Sequence, residues 1–351
     1  MISVVTPIYK NQDKLIKLLG SIREASSGIE DLEVIVVDDC SPQDSSREIK
    51  ELFDFARWIR LDRRSGPAAA RNKGAGSARG DIVLFLDSDV IVKADTLKKV
   101  EKAFRDSSVI ALEGEYDVEP ANEGFFPRYK ALEYRSFVGD QEFLTIFGTR
   151  ICAIRKNVFL DLGGFDASYS TASVEDYEFS DRLGRKGYRI HYDRTLEVKH
   201  HFTDRITKQF GLAFNRTFLW TRLFAKRKRF DNFGTTFSEG IGRLSGFVFM
   251  LSLPVAFLFK GPPAFLPAAL FFAYLFLNRR FFTLVRRKES AVFLIRSVAA
   301  HLIISVFINL GFISGILSSI PKILPPHLNP LPKGERKFCE GQKDKRKGRE
   351  P

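Results

Sequence analysis

The hydrophobic positions of this 351-residue chain follow two patterns, with a change near residue 240. In the first part, short apolar runs such as Ile82 to Leu86 alternate with stretches like that of Leu15 and Leu18, whose apolar residues share one helix face. The short runs are typical of strands buried on both faces. This alternation predicts βαβ units, and therefore an α/β domain with a mostly parallel sheet over residues 1–240. From Glu115 to Phe143 the pattern is irregular and aromatic, and it predicts no element.

Beyond residue 240 the apolar runs become longer. They predict membrane-spanning segments at 244–259, 262–277 and 291–320. The first two are shorter than the roughly 20 residues that a perpendicular span needs, so they form either a helical hairpin or two thin spans, whereas the third is long enough alone. The alternative is the buried helical core of a soluble domain, which would need a large partner surface to cover so many Phe and Leu side chains.

Charge favours a membrane over a nucleic-acid partner. The formal net charge of +13 and the pI near 9.6 suit nucleic-acid binding. The Lys and Arg residues nevertheless cluster at 216–229, 279–288 and in the C-terminal tail, beside the apolar runs, where an anionic inner leaflet attracts them. Within 205–240, aromatic residues alternate with basic ones as in interfacial helices. We therefore expect a membrane protein and no nucleic-acid partner.

The expected topology leaves one conflict. The basic stretch 279–288 and the absence of a leader-like N-terminal pattern predict a multi-pass protein of the cell inner membrane with a cytoplasmic N-terminal domain. A single crossing by 291–320 would then place the basic tail outside, against the same rule. Either this segment turns back within the membrane or the tail is exported despite its charge. Residues 321–351 have no apolar periodicity and are predicted to be disordered.

Carboxylates end two of the predicted strands. Asp38 and Asp39 follow the second strand, and Asp87 and Asp89 follow the run that ends at Leu86. Ligands bind at the carboxyl ends of strands in such sheets, and carboxylate oxygens suit Mg²⁺ or Mn²⁺. An isolated Asp-x-Asp is weak evidence, because many such pairs are only solvated. The first pair could equally cap a helix that begins at Ser41-Pro42.

Six motifs in order resemble the inverting family-2 glycosyltransferases of the GT-A fold. They are Ser3 to Tyr9, Val36 to Asp39, Ala70 to Asn72, Asp87 to Asp89, Gly163 to Asp166, and Glu175 to Glu178. The resemblance covers about residues 1–240. It implies an enzyme that moves a sugar from a nucleotide-diphosphate donor, a UDP- or GDP-sugar, to a lipid-linked or cell-envelope glycan acceptor.

Other functions stay open beside this one. A narrower version of the same chemistry is a polyprenyl-phosphate glycosyl transferase. The non-enzymatic alternative is a membrane scaffold that binds a nucleotide sugar without turning it over. A sugar nucleotidyltransferase needs a Gly-rich triphosphate loop after the first strand, but this chain has Thr6 to Tyr9 there.

The resemblance also implies roles for individual residues. Those on the donor side are Pro7, Tyr9 and Asp39 for the base, Arg71 for the diphosphate or ribose, and Asp87 for the ribose or a metal-bound water. Those of the metal and acceptor side are Asp89 and His200 as ligands of Mg²⁺ or Mn²⁺, Asp176 as general base, and Asp166 and Glu175 beside the acceptor. The alternatives are a solvated helix Arg at Arg71, and acids that only offset the helix dipole at Glu175 and Glu178.

Two departures from the family pattern change what is expected. Lys10 stands where Asn commonly follows the Tyr, which puts the contacts of the first loop in question. No Gln-x-x-Arg-Trp signature of processive synthases follows His201. We therefore expect a single sugar transfer rather than chain extension.

Overall fold

The computed structural model describes residues 1–42, 46–137, 139–169 and 174–320. The strands are β1 Ile2–Ile8, β2 Leu32–Asp38, β3 Ala56–Arg60, β4 Ile82–Leu86, β5 Val90–Val92, β6 Ala111–Tyr116, β7 Phe143–Leu144, β8 Ile151–Arg155 and β9 Ile190–His200. The helices are α1 Gln12–Ala25, α2 Ser46–Leu52, α3 Pro67–Ser77, α4 Thr96–Phe104, α5 Phe125–Phe137, α6 Lys156–Asp161, α7 Glu175–Arg185, α8 Ile206–Arg227, α9 Phe237–Ser252, α10 Val255–Leu258, α11 Leu266–Leu277, α12 Arg279–Lys288 and α13 Ala291–Ser319. A 3₁₀ helix, Pro262–Phe265, precedes α11.

The described residues form two compact units. The sheet unit comprises residues 1–115 and 147–198, and the helical unit comprises 116–146 and 199–320. The segment 116–146, which carries α5, therefore belongs to the helical unit.

The sheet is mixed, which confirms the α/β class. Its strand order is β3-β2-β1-β4-β8-β6-β9-β5. Strands β3, β2, β1 and β4 are parallel, whereas β8 runs antiparallel to β4 and to β6. In the parallel part, Val5 of β1 pairs with Ile35 of β2 and Phe85 of β4, and all three side chains are fully buried. The continuous apolar runs are thus covered on both faces, as expected for this kind of sheet.

This register brings the carboxyl ends of β1, β2 and β4 to one edge. The hydroxyl of Thr6 near the end of β1 donates to the carbonyl oxygen of Leu86, the last residue of β4, at 2.8 Å. Helix α3 packs so closely on this part of the sheet that a Cβ at Gly74 would overlap the Val5 side chain. The first turn of α3 is therefore held beside the acidic strand ends.

The helix expected to begin at Ser41-Pro42 starts later. Helix α2 begins at Ser46, and residues 43–45 lie outside the described part of the chain. The backbone N–H of Ser41 donates a hydrogen bond to the Asp38 carboxylate at 2.9 Å. Asp38 thus closes a turn directly after β2 and does not cap α2.

The helical unit contains the long apolar helices. Within the described residues, two helical stretches are long and apolar enough to cross a membrane, Phe237–Leu258 and Ala291–Ser319. The first is longer than its apolar run predicted, because Thr236 and Glu239 form a capping box that starts α9 at Phe237. Helix α11, with the preceding 3₁₀ turn, bends by 73° into the basic helix α12. The predicted disordered tail, 321–351, lies outside the described residues.

Candidate active site

Arg71 lies at the centre of the candidate site. Its Nη2 is 2.5 Å from Asp87 Oδ1 at the end of β4, and its Nη1 is 3.3 Å from Glu175 Oε1 at the start of α7. The side chains of Arg71 and Glu175 are each 3% exposed, whereas that of Asp87 is 26% exposed. Burial alone would lower the pKa of the guanidinium, but the two carboxylates raise it above its ordinary value. One cation thus joins two predicted site acids that are 88 residues apart in the sequence.

Asp39 fixes the loop that carries Arg71 into the site. Its two carboxylate oxygens accept the backbone N–H groups of Ser65 at 2.6 Å and Gly66 at 2.9 Å. Gly66 has a φ of +91°, which favours glycine, and Pro67 then begins α3. Burial raises the pKa of the Asp39 carboxyl, and these N–H groups offset part of that effect. The predicted base-binding acid therefore also has a structural role at the N-terminus of α3.

Two cationic side chains lie beside Tyr9 in the loop after β1, and the Ser3 to Tyr9 motif did not predict them. Pro7 is half-buried and pairs with Val37, and the half-buried Tyr9 follows it at the strand end. The Arg64 guanidinium lies 4.2 Å from the centre of the Tyr9 ring, and Lys10 Nζ lies 5.0 Å from it. Such contacts are typical of cation–π pairs. The aromatic surface predicted for the base is thus accompanied by positive charge on a loop at the same strand edge.

Asp89 has a loose partner of its own. Lys14 Nζ of α1 lies 3.6 Å from Asp89 Oδ2, which is too long for a hydrogen bond, and both side chains are partly exposed. A surface pair of this kind is worth only about 0–1 kcal/mol. Asp89 can therefore exchange this neighbour for a stronger cation.

The two strand-end acids fit a divalent cation that takes further ligands from substrate and water. Asp87 and Asp89 are each about one quarter exposed. Within the described residues, no group of three or more His, Cys, Asp and Glu side chains could hold a metal ion. Hard oxygen donors in this number suit Mg²⁺ or Mn²⁺, which usually keep water and substrate phosphates as further ligands.

The Gly-Gly-Phe-Asp loop is tied to α3. Asn72 accepts the N–H of Phe165 at 2.9 Å and donates to the carbonyl oxygen of the same residue at 2.7 Å. Gly163 and Gly164 have φ values of +80° and +66°, and a Cβ at Gly164 would meet Asn72 Oδ1 at 2.5 Å. The half-buried Asp166 follows, and its carboxylate accepts the N–H of Ser168 at 2.9 Å. Asn72, next to Arg71, thus positions the loop that was predicted to shape the acceptor side.

Asp176 lies in the first turn of α7, directly after the buried Glu175. Its carboxylate is half-buried and accepts the N–H of Tyr177 at 2.9 Å. The carbonyl oxygen of Asp176 accepts the hydroxyl of Ser180, which in turn accepts the N–H of Phe147. The backbone that carries the predicted base is therefore held from two sides, while its carboxylate stays partly accessible.

The neighbouring acids of this helix turn have other tasks. Glu178 binds Arg182 through two contacts of 2.7 Å, and Arg182 also donates to the carbonyl oxygens of Leu162 and Gly164. Glu178 therefore orients an arginine that holds the glycine loop. Glu175 is buried against Arg71, so its predicted place beside the acceptor stays a prediction.

His200 belongs to the helical unit. Its ring lies between those of Tyr116 and Phe202, with centroid distances of 4.7 and 4.3 Å. This aromatic packing accounts for its partial burial, and its role as a metal ligand stays a prediction.

Sequence reasoning missed several residues that build the site. They are Lys14, Arg60, Arg64, Asn72 and Arg182. Arg60 binds the Asp38 carboxylate at 2.5 Å and the Ser41 carbonyl oxygen at 2.7 Å, which holds the turn after β2. Asn72 lies inside a motif, and Arg182 lies four residues after one. Their polar side chains could therefore have been predicted to contribute to the site. The roles of Arg60 and Arg64 depend on tertiary contacts that their positions do not reveal.

Comparison with known proteins decides the family. The model of glycosyl transferase family 2 matches residues 3–176. This segment is a glycosyltransferase family 2 domain. The matched region contains most of β1, the acidic ends of β2 and β4, Arg71, and the Glu175-Asp176 pair, so the predicted family membership is confirmed, whereas the roles of these residues stay predictions.

Relatives and solved structures agree with this family 2 domain. The chain is 31% identical over 187 residues to an uncharacterized glycosyltransferase of Haemophilus influenzae, covering 52% of this chain and 62% of that one. It is 30% identical over 208 residues to the pre-mycofactocin glycosyltransferase of Mycobacterium tuberculosis, covering 57% and 42%. The chain thus spans less than two thirds of the length of these relatives.

The fold comparison supports a GT-A-like domain. A mannosyltransferase from Pyrobaculum calidifontis, solved in complex with GDP-Man and Mn²⁺, superposes with a TM-score of 0.54 at 19% identity. The match covers 91% of this chain and 86% of that one. At this identity the likeness establishes the fold alone. The chain therefore combines a GT-A-like family 2 domain with C-terminal helices, two of which are apolar enough to span a membrane.

Proposed function

We propose that the chain is a membrane-anchored inverting glycosyltransferase that moves a sugar from a UDP- or GDP-linked donor to a lipid-linked or cell-envelope glycan acceptor. One observation carries this proposal: Arg71 joins Asp87, at the strand end that faces the predicted donor, to Glu175, the neighbour of the predicted base Asp176. Burying the charges of Arg71 and Glu175 costs free energy, which only a favourable geometry of their partners offsets.

Asp176 is the base in this reaction. The acceptor hydroxyl attacks the anomeric carbon from the face opposite the leaving group, the bond between that carbon and the phosphate oxygen breaks, and the hydroxyl proton passes to the Asp176 carboxylate. The nucleoside diphosphate leaves with the bonding electron pair. General-base catalysis of this type contributes roughly 10²- to 10⁴-fold.

The donor side is assigned to the strand ends. Pro7, Tyr9 and Asp39 bind the base, and Asp87, oriented by Arg71, binds the ribose or a metal-bound water. Asp89, with His200 as a further ligand, would hold Mg²⁺ or Mn²⁺, which offsets the charge that develops on the departing diphosphate. The mannosyltransferase of the same fold is solved with GDP-Man and Mn²⁺, which supports this choice of donor and ion.

The envelope acceptor is supported by relatives and by the apolar helices. One relative, 36% identical over 114 residues, is the succinoglycan biosynthesis protein ExoO of Rhizobium meliloti. In the proposed topology, the C-terminal helices anchor the enzyme in the inner membrane and its sheet unit lies in the cytoplasm, where nucleotide sugars are available. A lipid-linked acceptor is then within reach of the same membrane.

Nucleoside diphosphate release tests the function. Full-length protein in detergent is incubated with a panel of UDP- and GDP-sugars and Mn²⁺, with and without lipid extract from envelope membranes. We expect release with one donor that increases when the acceptor extract is present and stops when the metal is chelated. The anomeric configuration of the product, determined by NMR, tests inversion.

The results separate the alternatives. A donor that binds without any release in the presence of the extract would support the scaffold instead. Release that continues in excess chelator would contradict the metal role of Asp89, and a product of retained configuration would contradict the role of Asp176.

A further inference from the structure

Helices α8 and α13 of the helical unit run side by side in the same direction. Three successive contacts pair Phe210 with Phe307, Phe214 with Gly311, and Phe218 with Gly315. The two rings of the first pair stack with centroids 4.5 Å apart, and a Cβ at Gly315 would lie 2.9 Å from the Phe218 carbonyl oxygen. The contacts advance by four residues on both helices, so the glycines allow two parallel backbones to approach closely.

Helix α8 carries a polar stripe along most of its length, interrupted by the exposed Leu212. The exposed polar residues on this stripe are Lys208, Asn215, Arg216, Arg222 and Lys226. From Lys208 to Lys226 the stripe extends about 27 Å at the usual helical rise, which is close to the thickness of a bilayer core. Cations near the ends of a span can reach the interface, but Arg216 and Arg222 lie too far inside for both to do so. Helix α8 therefore needs water or lipid headgroups beside most of its length.

Helix α5 packs beside α8 and is also polar. The Asp204 carboxylate, just before α8, accepts the N–H of Phe126 at 3.2 Å, and Arg216 donates to the Tyr134 hydroxyl at 3.3 Å. Helices α5 and α8 therefore also run in the same direction. Helix α5 carries charged side chains on most of its turns, at Arg128, Lys130, Glu133 and Arg135. Neither helix belongs in hydrocarbon.

The other face of α13 is apolar and uncovered. Leu310, Ile313 and Leu317 are 42%, 43% and 60% exposed. Beyond Ser319 the sequence is rich in Lys and Arg, and such segments stay on the cytoplasmic side. Helix α13 is continuous from Ala291 to Ser319, so it does not turn back on itself.

We propose that α13 does not cross the membrane but lies in the plane of the cytoplasmic leaflet, with α8 on its headgroup side and its exposed apolar face on the lipid chains. The helix is long enough to span, yet its C-terminal half is bound along a partner that cannot enter the bilayer core. Its end at Ser319 then stays on the same side as the sheet unit. This resolves the conflict between the length of the segment and the charge that follows it.

Thiol labelling from either side of the membrane tests the proposal. It concerns membrane placement and does not depend on the transfer reaction, so an inactive protein can be tested equally well. In the full chain with Cys40, Cys152 and Cys339 replaced by alanine, Ser319→Cys is compared with Ser107→Cys, an exposed position of the sheet unit. Each variant is treated with a membrane-impermeant maleimide in right-side-out and in inverted vesicles.

The two positions are expected to react in the same vesicle orientation. Reaction in opposite orientations would show that α13 crosses and would overturn the proposal. If the cysteine replacements prevent folding, C-terminal fusions to the otherwise unchanged chain also show on which side of the membrane the C-terminus lies. We expect a fluorescent protein fusion to be bright and an alkaline phosphatase fusion to be inactive, whereas an active phosphatase would contradict the in-plane placement.

Discussion

One arginine in each unit holds carboxylates away from most solvent, and the surroundings of the two arginines differ. In the sheet unit, Arg71 binds Asp87 and Glu175. In the helical unit, Arg243 of α9 and Lys130 of α5 both bind Glu133 of α5. Each network fixes elements that are distant in sequence. Only the first, however, keeps one carboxylate partly exposed, since Asp87 is 26% and Glu133 only 3% exposed.

The two networks also differ in their surroundings, because Glu133 lies beside an apolar cluster. Tyr129 donates to Glu133 at 3.1 Å, and the neighbouring cluster includes Leu132, Tyr274 and Phe281. Within the described part of the chain, these neighbours leave the Glu133 side chain only 3% exposed. The network of Arg71, by contrast, ends at Asp87, whose carboxylate is partly exposed. Burial of an ion pair alone does not indicate function, and our proposal for the sheet unit depends on the exposed end of its network.

The largest expected effect follows from Arg71→Met. Loss of the guanidinium leaves two carboxylates without their cation, one of them fully buried, and such a change typically costs about 3–5 kcal/mol. We expect a strong loss of thermal stability in detergent together with loss of turnover.

A second substitution separates stability from function at this position. Arg71→Met combined with Glu175→Gln removes the buried uncompensated charge, so most of the stability is expected to return while turnover does not. If turnover returned as well, Arg71 would be only a structural residue, and its link to Asp87 would carry no function.

Glu133→Gln is expected to lower stability by about 3 kcal/mol without changing the turnover of the folded protein. Burial alone would raise the pKa of Glu133, but Lys130 and Arg243 lower it far below its ordinary value of 4.5. The stabilisation by Glu133 is therefore complete above that value and is lost as the pH falls below it.

Thermal unfolding at pH 7 and pH 4 measures this difference, with the exposed Glu142→Gln as control. The gap between the wild type and Glu133→Gln should narrow at the lower pH. If the stability difference between the two proteins widened at pH 4, or if turnover per folded molecule fell, the purely structural role of this network would be contradicted.

Lys14→Ala is expected to have the smallest effect. Its exposed pair with Asp89 is worth at most about 1 kcal/mol, so stability should hardly change. Removal of a competing cation should instead lower the Mn²⁺ concentration for half-maximal turnover a few-fold. A metal titration with Lys17→Ala as matched control measures this shift, and a higher Mn²⁺ requirement would mean that Lys14 assists the ion.

The sequence predicted the buried strands and the order of the motifs well. Runs such as Val34 to Val37 and Val83 to Leu86 are apolar throughout, because both faces of these strands are covered. Motif acids at their ends then follow from the parallel register. Local pattern and chemistry coincide in this part of the chain.

The sequence did not predict α5 or the partner of Arg71. Helix α5 buries Tyr129 and Leu132 but also Glu133, so its inward face is not uniformly apolar and its periodicity is hidden. Glu175 is 104 residues from Arg71, and nothing local marks that pair. Ion pairs between distant segments depend on packing, which residue spacing does not encode.

The most direct test of the central claim is the turnover of Asp176→Asn. The substitution keeps the size of the side chain and removes the proposed base, so nucleoside diphosphate release should fall roughly 10²- to 10⁴-fold at unchanged donor KM and stability. The exposed Asp161→Asn serves as the matched control and should retain full activity. Full turnover by Asp176→Asn, with the same acceptor and donor, would contradict the assignment of the base and with it the proposed mechanism.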